Sequence, residues 1–142
     1  MKISEANIHQ LRTSEISTLI RAQTLSARDV LEHYIHRIET LNPTINAVIF
    51  SDFAKARRTA DEIDTRIKDG GQLGPLAGIP MTIKDAFEVE GMSCDVGLPA
   101  YQEYRSSSDA TVVARLKKAG AIIIGKTNTP YLCSDWQSYN SL

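Results

Sequence analysis

Hydrophobic positions along this chain follow two rhythms. In "SARDVLEHYIHRIETLNP", beginning at Ser26, the apolar residues Val30, Leu31, Tyr34, Ile35, Ile38 and Leu41 recur every three or four places, which predicts a helix with one buried face. Ser26 with Asp29 three residues later is a shortened capping box at its start, and Asn42 with Pro43 predicts its stop. A weaker helical pattern precedes it over residues 5–20. "INAVIF", residues 45–50, is too short for a helix and reads as a buried strand. Ser51 then caps a third predicted helix, "DFAKARRTADEIDTRIKD", which ends at Gly70 and Gly71.

The second half changes rhythm. In "GIPMTIKD", alternation puts Ile79, Met81 and Ile83 on one face of a predicted strand and Pro80, Thr82 and Lys84 on the other. A turn over residues 74–78 leads in, and a loop over residues 85–90 leads out. Ser108 or Asp109 is placed to cap "ATVVARLKKAG", whose Val112, Val113, Leu116 and Ala119 share a face, with Gly120 closing the helix. "AIIIG" follows at once without alternation, the pattern of a parallel strand covered on both faces. The predicted class is therefore α/β, a mixed, largely parallel sheet flanked by helices. Residues 1–142 read as one unit with no internal boundary, repeat or low-complexity tract.

Composition narrows the functional classes. A net charge of −1, from 16 basic and 17 acidic residues, offers no bulk attraction to nucleic acid or a membrane surface. The longest apolar run, "AIII", is far short of the ~20 residues that span a bilayer, and the start "MKISEANIHQ" lacks a signal peptide's apolar stretch, so the expected compartment is the cytoplasm. Cys94 and Cys133 have neither metal-ligand spacing nor the density of a disulfide scaffold and are read as thiols. The closing "WQSYNSL" is neither a capped helix nor a polar tail; it reads as a chain stopping in mid-structure, with Trp136 and Tyr139 as packing residues at helical spacing.

Lys84 is the residue that breaks the pattern, because it stands at the carboxyl end of a core strand, where ligands bind in open α/β sheets. A free lysine titrates near ~10.4, and bringing it to about 7 requires roughly three units, or about 4 kcal/mol against the charged form. Burial among apolar groups does this, and the resulting amine takes protons or attacks carbonyls. The competing reading is a lysine that snorkels to water or pairs with a carboxylate such as Asp85. Asp85, on the opposite side by strand geometry, is expected to fix a loop or meet a helix N-terminus.

Other candidates reduce to structure. The serines at 106–108 precede a helix that needs a cap, and Ser93 is treated likewise as a loop serine. "GAIIIGKT" satisfies the phosphate-loop spacing, but its middle is itself an apolar strand, so nucleotide binding is set aside. His33 and His36, three apart on a helix, lack a carboxylate partner on another element and read as surface residues beside Glu32 and Glu39, like His9; no metal site is expected.

"GPLAGIPMTIKD" followed by "DATVVARLKKAGAIIIGKTNTP" resembles the amidase signature family, and "LSARDVLEHYIHRIETLNPTINAVI" resembles that family's amino-terminal helices and first strand. The resemblance covers nearly the whole chain and implies the amino-terminal part of an amidase signature fold. It implies amide-bond hydrolysis by a serine, a second serine preceded by a cis peptide bond, and a lysine, with no metal or organic cofactor. Carried over, the lysine of the "IKD" block is Lys84, the general base. Cys133, shortly after "GKTN", reads either as a small core hydrophobe or, as the resemblance implies, as part of the substrate-facing wall. Family members are several times longer, and their two serines lie in a glycine- and serine-rich segment that this chain does not reach. Where many members carry threonines and a Gly-Ser pair, this chain has "SCDVGLP", so the positions around Gly97 are not assigned to the site.

The implied partner is a small-molecule amide. The alternative is a non-catalytic fragment or module that associates with another copy through uncovered apolar faces.

Overall fold

The structure, a computed structural model, describes residues 5–142. A 3-10 turn at Glu5–Gln10 leads to helices α1 (Thr13–Arg21) and α2 (Ala27–Ile45), strand β1 (Val48–Ser51), helix α3 (Phe53–Lys68), strand β2 (Pro80–Lys84), helix α4 (Thr111–Lys118) and strand β3 (Ile122–Thr127). The strands form one sheet in the order β1-β3-β2, with β3 antiparallel to β1 and parallel to β2. The class is the expected α/β with a mixed sheet.

The central strand explains the layering. Ile122 and Ile124 pack with Leu31, Ile35, Ala56 and Ala60 of α2 and α3, whereas Ile123 packs with Ile83, Val89, Met92 and Val113 on the other face. Covering both faces accounts for the unbroken apolar run, and each isoleucine so buried contributes roughly 1.5–3 kcal/mol. A third cluster joins Ile8, Ile16 and Ile20 to Val30 and Ile79, seating the amino-terminal segment on α2 and β2.

Several predicted boundaries move, each for a local reason. The helix expected over residues 5–20 breaks because Arg12 is extended, with ψ at 151°, and its amide donates to the Glu15 carboxylate at 2.6 Å. Pro43 does not end α2; it sits in the last turn, and the helix stops at Asn46, whose φ of 48° is left-handed. The Asn42 side chain then clamps Val48 at both backbone polar atoms, at 2.7 and 2.8 Å, so β1 begins at Val48 and not at residue 45.

Ser51 remains in the strand, and Asp52 caps α3 by accepting from the Lys55 amide at 2.9 Å. Ser108 and Asp109 do not cap α4, whose N-cap is Ala110. The Asp109 carboxylate is engaged instead by the Glu90 amide and by Lys117 Nζ. Burial pushes that carboxyl up, but these donors outweigh it and hold it below the ordinary value. Trp136 and Tyr139 are not on a helix and are exposed, at 91% and 82%. Among the described residues no helix is long and apolar enough to cross a membrane.

Candidate functional site

Two parallel strands deliver the site. Lys84, the last residue of β2, lies opposite Thr127, the last residue of β3. The Lys84 side chain is exposed in this chain, whereas a second lysine, Lys126, is 0% exposed.

The burial of Lys126 has a geometric origin. Pairing runs from Met81↔Ile123 directly to Thr82↔Gly125, leaving Ile124 as an extra residue on β3. Such a bulge reverses the alternation beyond it, so Lys126 turns away from the α2–α3 face that holds Ile124. Glycine at 125 is required there, because an added Cβ would collide with the Phe50 carbonyl oxygen of β1.

Lys126 Nζ lies 3.0 Å from Asp85 Oδ1 and donates to the Ser93 carbonyl at 2.5 Å. Asp85 is itself 0% exposed. Its Oδ2 accepts from the amides of Asp95 and Val96 at 2.8 and 2.9 Å, and Ser93 Oγ approaches Oδ1 at 3.5 Å. Its own amide donates to Thr127 O at 3.0 Å, and the Cys94 thiol donates to its carbonyl at 3.0 Å. Asp85 thus fixes a loop, as expected, and that loop includes left-handed Val96 and Gly97, at φ 51° and 70°. Burial, with the nearby Asp85 charge adding to it, pushes the Asp95 carboxyl up, and burial likewise raises the Cys94 thiol.

Cys133 lies on the exposed turn Tyr131–Cys133, its Sγ 3.2 Å from Thr129 Oγ1. That turn meets the Asp85-bound loop through the Leu132 amide, which donates to Val96 O at 2.8 Å. A cavity of about 310 Å³ is lined by Ser93, Asp95, Phe50, Arg105 and Asn128 among others; Lys84 is not one of its walls.

The set-aside candidates resolve structurally. "IIIGKT" is ladder-bonded strand, not a phosphate cradle. His9 and His33 stack with ring centroids 5.3 Å apart, and His36 is exposed. Among the described residues no cluster of His, Cys, Asp or Glu is arranged to hold a metal. Sequence reasoning missed Lys126; the one signal available was that "AIII" continues into "GKT" without a turn residue other than Gly125.

A family profile described as Amidase matches residues 29–142. The chain belongs to the amidase signature family. It is 36% identical over 128 residues to an acylamidase of Rhodococcus erythropolis, covering 90% of this chain and 27% of that protein. It is 40% identical over 123 residues to an indoleacetamide hydrolase of Bradyrhizobium diazoefficiens, covering 87% of this chain and 24% of that one. The crystal structure of a bacterial aryl acylamidase of the amidase signature family superposes with a TM-score of 0.82 at 28% identity, over 86% of this chain and 26% of its own. The chain spans about a quarter of the length of the curated relatives it matches.

Proposed function

We propose that this chain is the amino-terminal part of an amide hydrolase and that Lys84 is its general base. The observation that carries the reading is the position of Lys84 at the carboxyl end of a parallel core strand, with a free side chain next to the immobilised Asp85. In the reaction, Lys84 accepts the hydroxyl proton of a nucleophilic serine, relayed through a second serine. The serine oxygen attacks the amide carbon, the C–N bond breaks, and the leaving amine takes the proton. Water then cleaves the acyl ester by the same proton path, so amide and water become carboxylic acid and amine. On this reading both serines belong to sequence beyond Leu142, and the segment carrying them covers the Lys84 amine, since burial disfavours its charged form. Cys133, on the turn bonded to Val96, is assigned to the substrate-facing wall.

The test is amide turnover by the full product of the gene, read past the codon for Leu142, with and without Lys84→Met. Loss of turnover in the variant with an unchanged melting temperature is the expected result, together with no turnover by the 142-residue chain alone. Full turnover with methionine at 84 overturns the assignment.

A second reading has its own observation. β1 and β2 are both open edges of the sheet, and Leu132, Trp136 and Tyr139 are exposed apolar surface, which favours self-association of the chain expressed alone. Light scattering decides it: a concentration-independent monomer rules this reading out.

A further inference from the structure

The amino acid after Lys84 is held more completely than any side chain near it. Every polar atom of Asp85 is engaged: its amide by Thr127, its carbonyl by Cys94, one carboxylate oxygen by Lys126, and the other by the amides of Asp95 and Val96. These partners come from the end of β3 and from the loop that turns through Val96 and Gly97. Lys126 closes the circuit by donating to Ser93 O.

A stability role alone does not account for this arrangement. Two fully buried opposite charges gain little over well-packed apolar residues of the same volume, because desolvation opposes their attraction. What the pair supplies that leucine and methionine do not is direction, since four donors converge on one carboxylate and tie three chain segments at a single point. The tied point is one peptide unit from the Lys84 Cα.

We infer that Asp85, clamped by Lys126, is a positioning residue for Lys84, bracing the ends of β2 and β3 against the loop at residues 93–97 so that the lysine backbone cannot shift when its side chain exchanges a proton. This rests on the reading of Lys84 as the base. A displacement of about 1 Å at a reacting group costs on the order of a hundredfold in rate, so a brace at this point acts on kcat and not on substrate affinity.

Two paired variants of the full gene product test it. Asp85→Asn with Lys126→Met removes both buried charges but leaves an amide carbonyl for the Asp95 and Val96 N–H groups. Asp85→Leu with Lys126→Met removes the charges and that acceptor. The asparagine pair is expected to keep kcat within a few-fold, and the leucine pair to lose about tenfold to a hundredfold in kcat with KM within about twofold. Equal kcat in the two folded pairs overturns the brace. Native-state hydrogen exchange of the unsubstituted protein gives a measurement that needs no variant: the Asp95 and Val96 amides are expected to exchange only through global unfolding, and fast native exchange overturns the proposal. Lys84→Met in the same assay separates the two readings. Activity surviving that change overturns the base assignment, whereas its loss alongside full kcat in the leucine pair overturns the brace alone.

Discussion

Lys126 Nζ and Asp85 Oδ1 lie 3.0 Å apart with both side chains withdrawn from solvent. Removing one member of such a pair leaves an uncompensated charge inside the protein. Lys126→Met is therefore expected to destabilise the chain by about 3–5 kcal/mol, read from the midpoint of urea unfolding. The Asp85→Asn/Lys126→Met pair, with no buried charge left and an acceptor kept for the Asp95 and Val96 amides, should recover most of that loss; a single variant as stable as the unsubstituted chain would show that the pair is not desolvated.

Lys84→Met is expected to leave stability within about 0.5 kcal/mol, because the side chain is exposed and no fold contact is lost. Thermal unfolding of the 142-residue chain checks this. The contrast with Lys126→Met separates a lysine whose side chain the fold does not use from one that the fold buries.

Gly125→Ala forces a methyl group into the Phe50 carbonyl oxygen, within the β1–β3 pairing. Separating the strands at that point should cost about 1–3 kcal/mol, and the effect should appear as faster hydrogen exchange in β1 before it appears in β2.

Asp64, on α3, caps the start of α2 from outside, accepting from the Ala27 and Arg28 amides at 2.7 and 3.0 Å. Asp64→Ala leaves two first-turn donors open and should cost about 1–2 kcal/mol in denaturant unfolding.

Glu32 gives a pH dependence with a definite sign. Hydrogen bonding to Arg57 is the main cause, opposed by partial burial and reinforced by Arg28, and together they lower its carboxyl to about 2 from the ordinary 4.5. The folded state thus holds the ionised form more strongly than the unfolded chain does. The stabilisation is complete above about pH 4.5 and disappears as pH falls towards 2. With 39% of the side chain exposed, solvent screening limits it to on the order of 1 kcal/mol. Arg57→Ala should flatten the stability curve across that acid window and leave it unchanged in shape near neutrality.

Much of the frame was legible along the chain because its causes are local. The apolar spacing of α2, the Ser26–Asp29 capping box and the glycine stop after α3 depend only on residues a few places apart, and all three are present in the fold. Lys84 at the end of a strand was legible for the same reason. The boundaries that moved did so through contacts the pattern does not carry: Asn42 reaching Val48, and Asp109 drawn to Lys117 and away from the α4 terminus.

The amino-acid order by itself determined which segments are helix and strand, the placement of one lysine at the mouth of the sheet, and membership of the amidase signature family. Only the tertiary structure decided which lysine is dry. Simple alternation along β3 would send Lys126 to the same face as Ile124, but the strand takes up one extra residue against β2 and turns that side chain towards Asp85. A bulge is a property of two strands pairing, so no reading of either strand alone contains it.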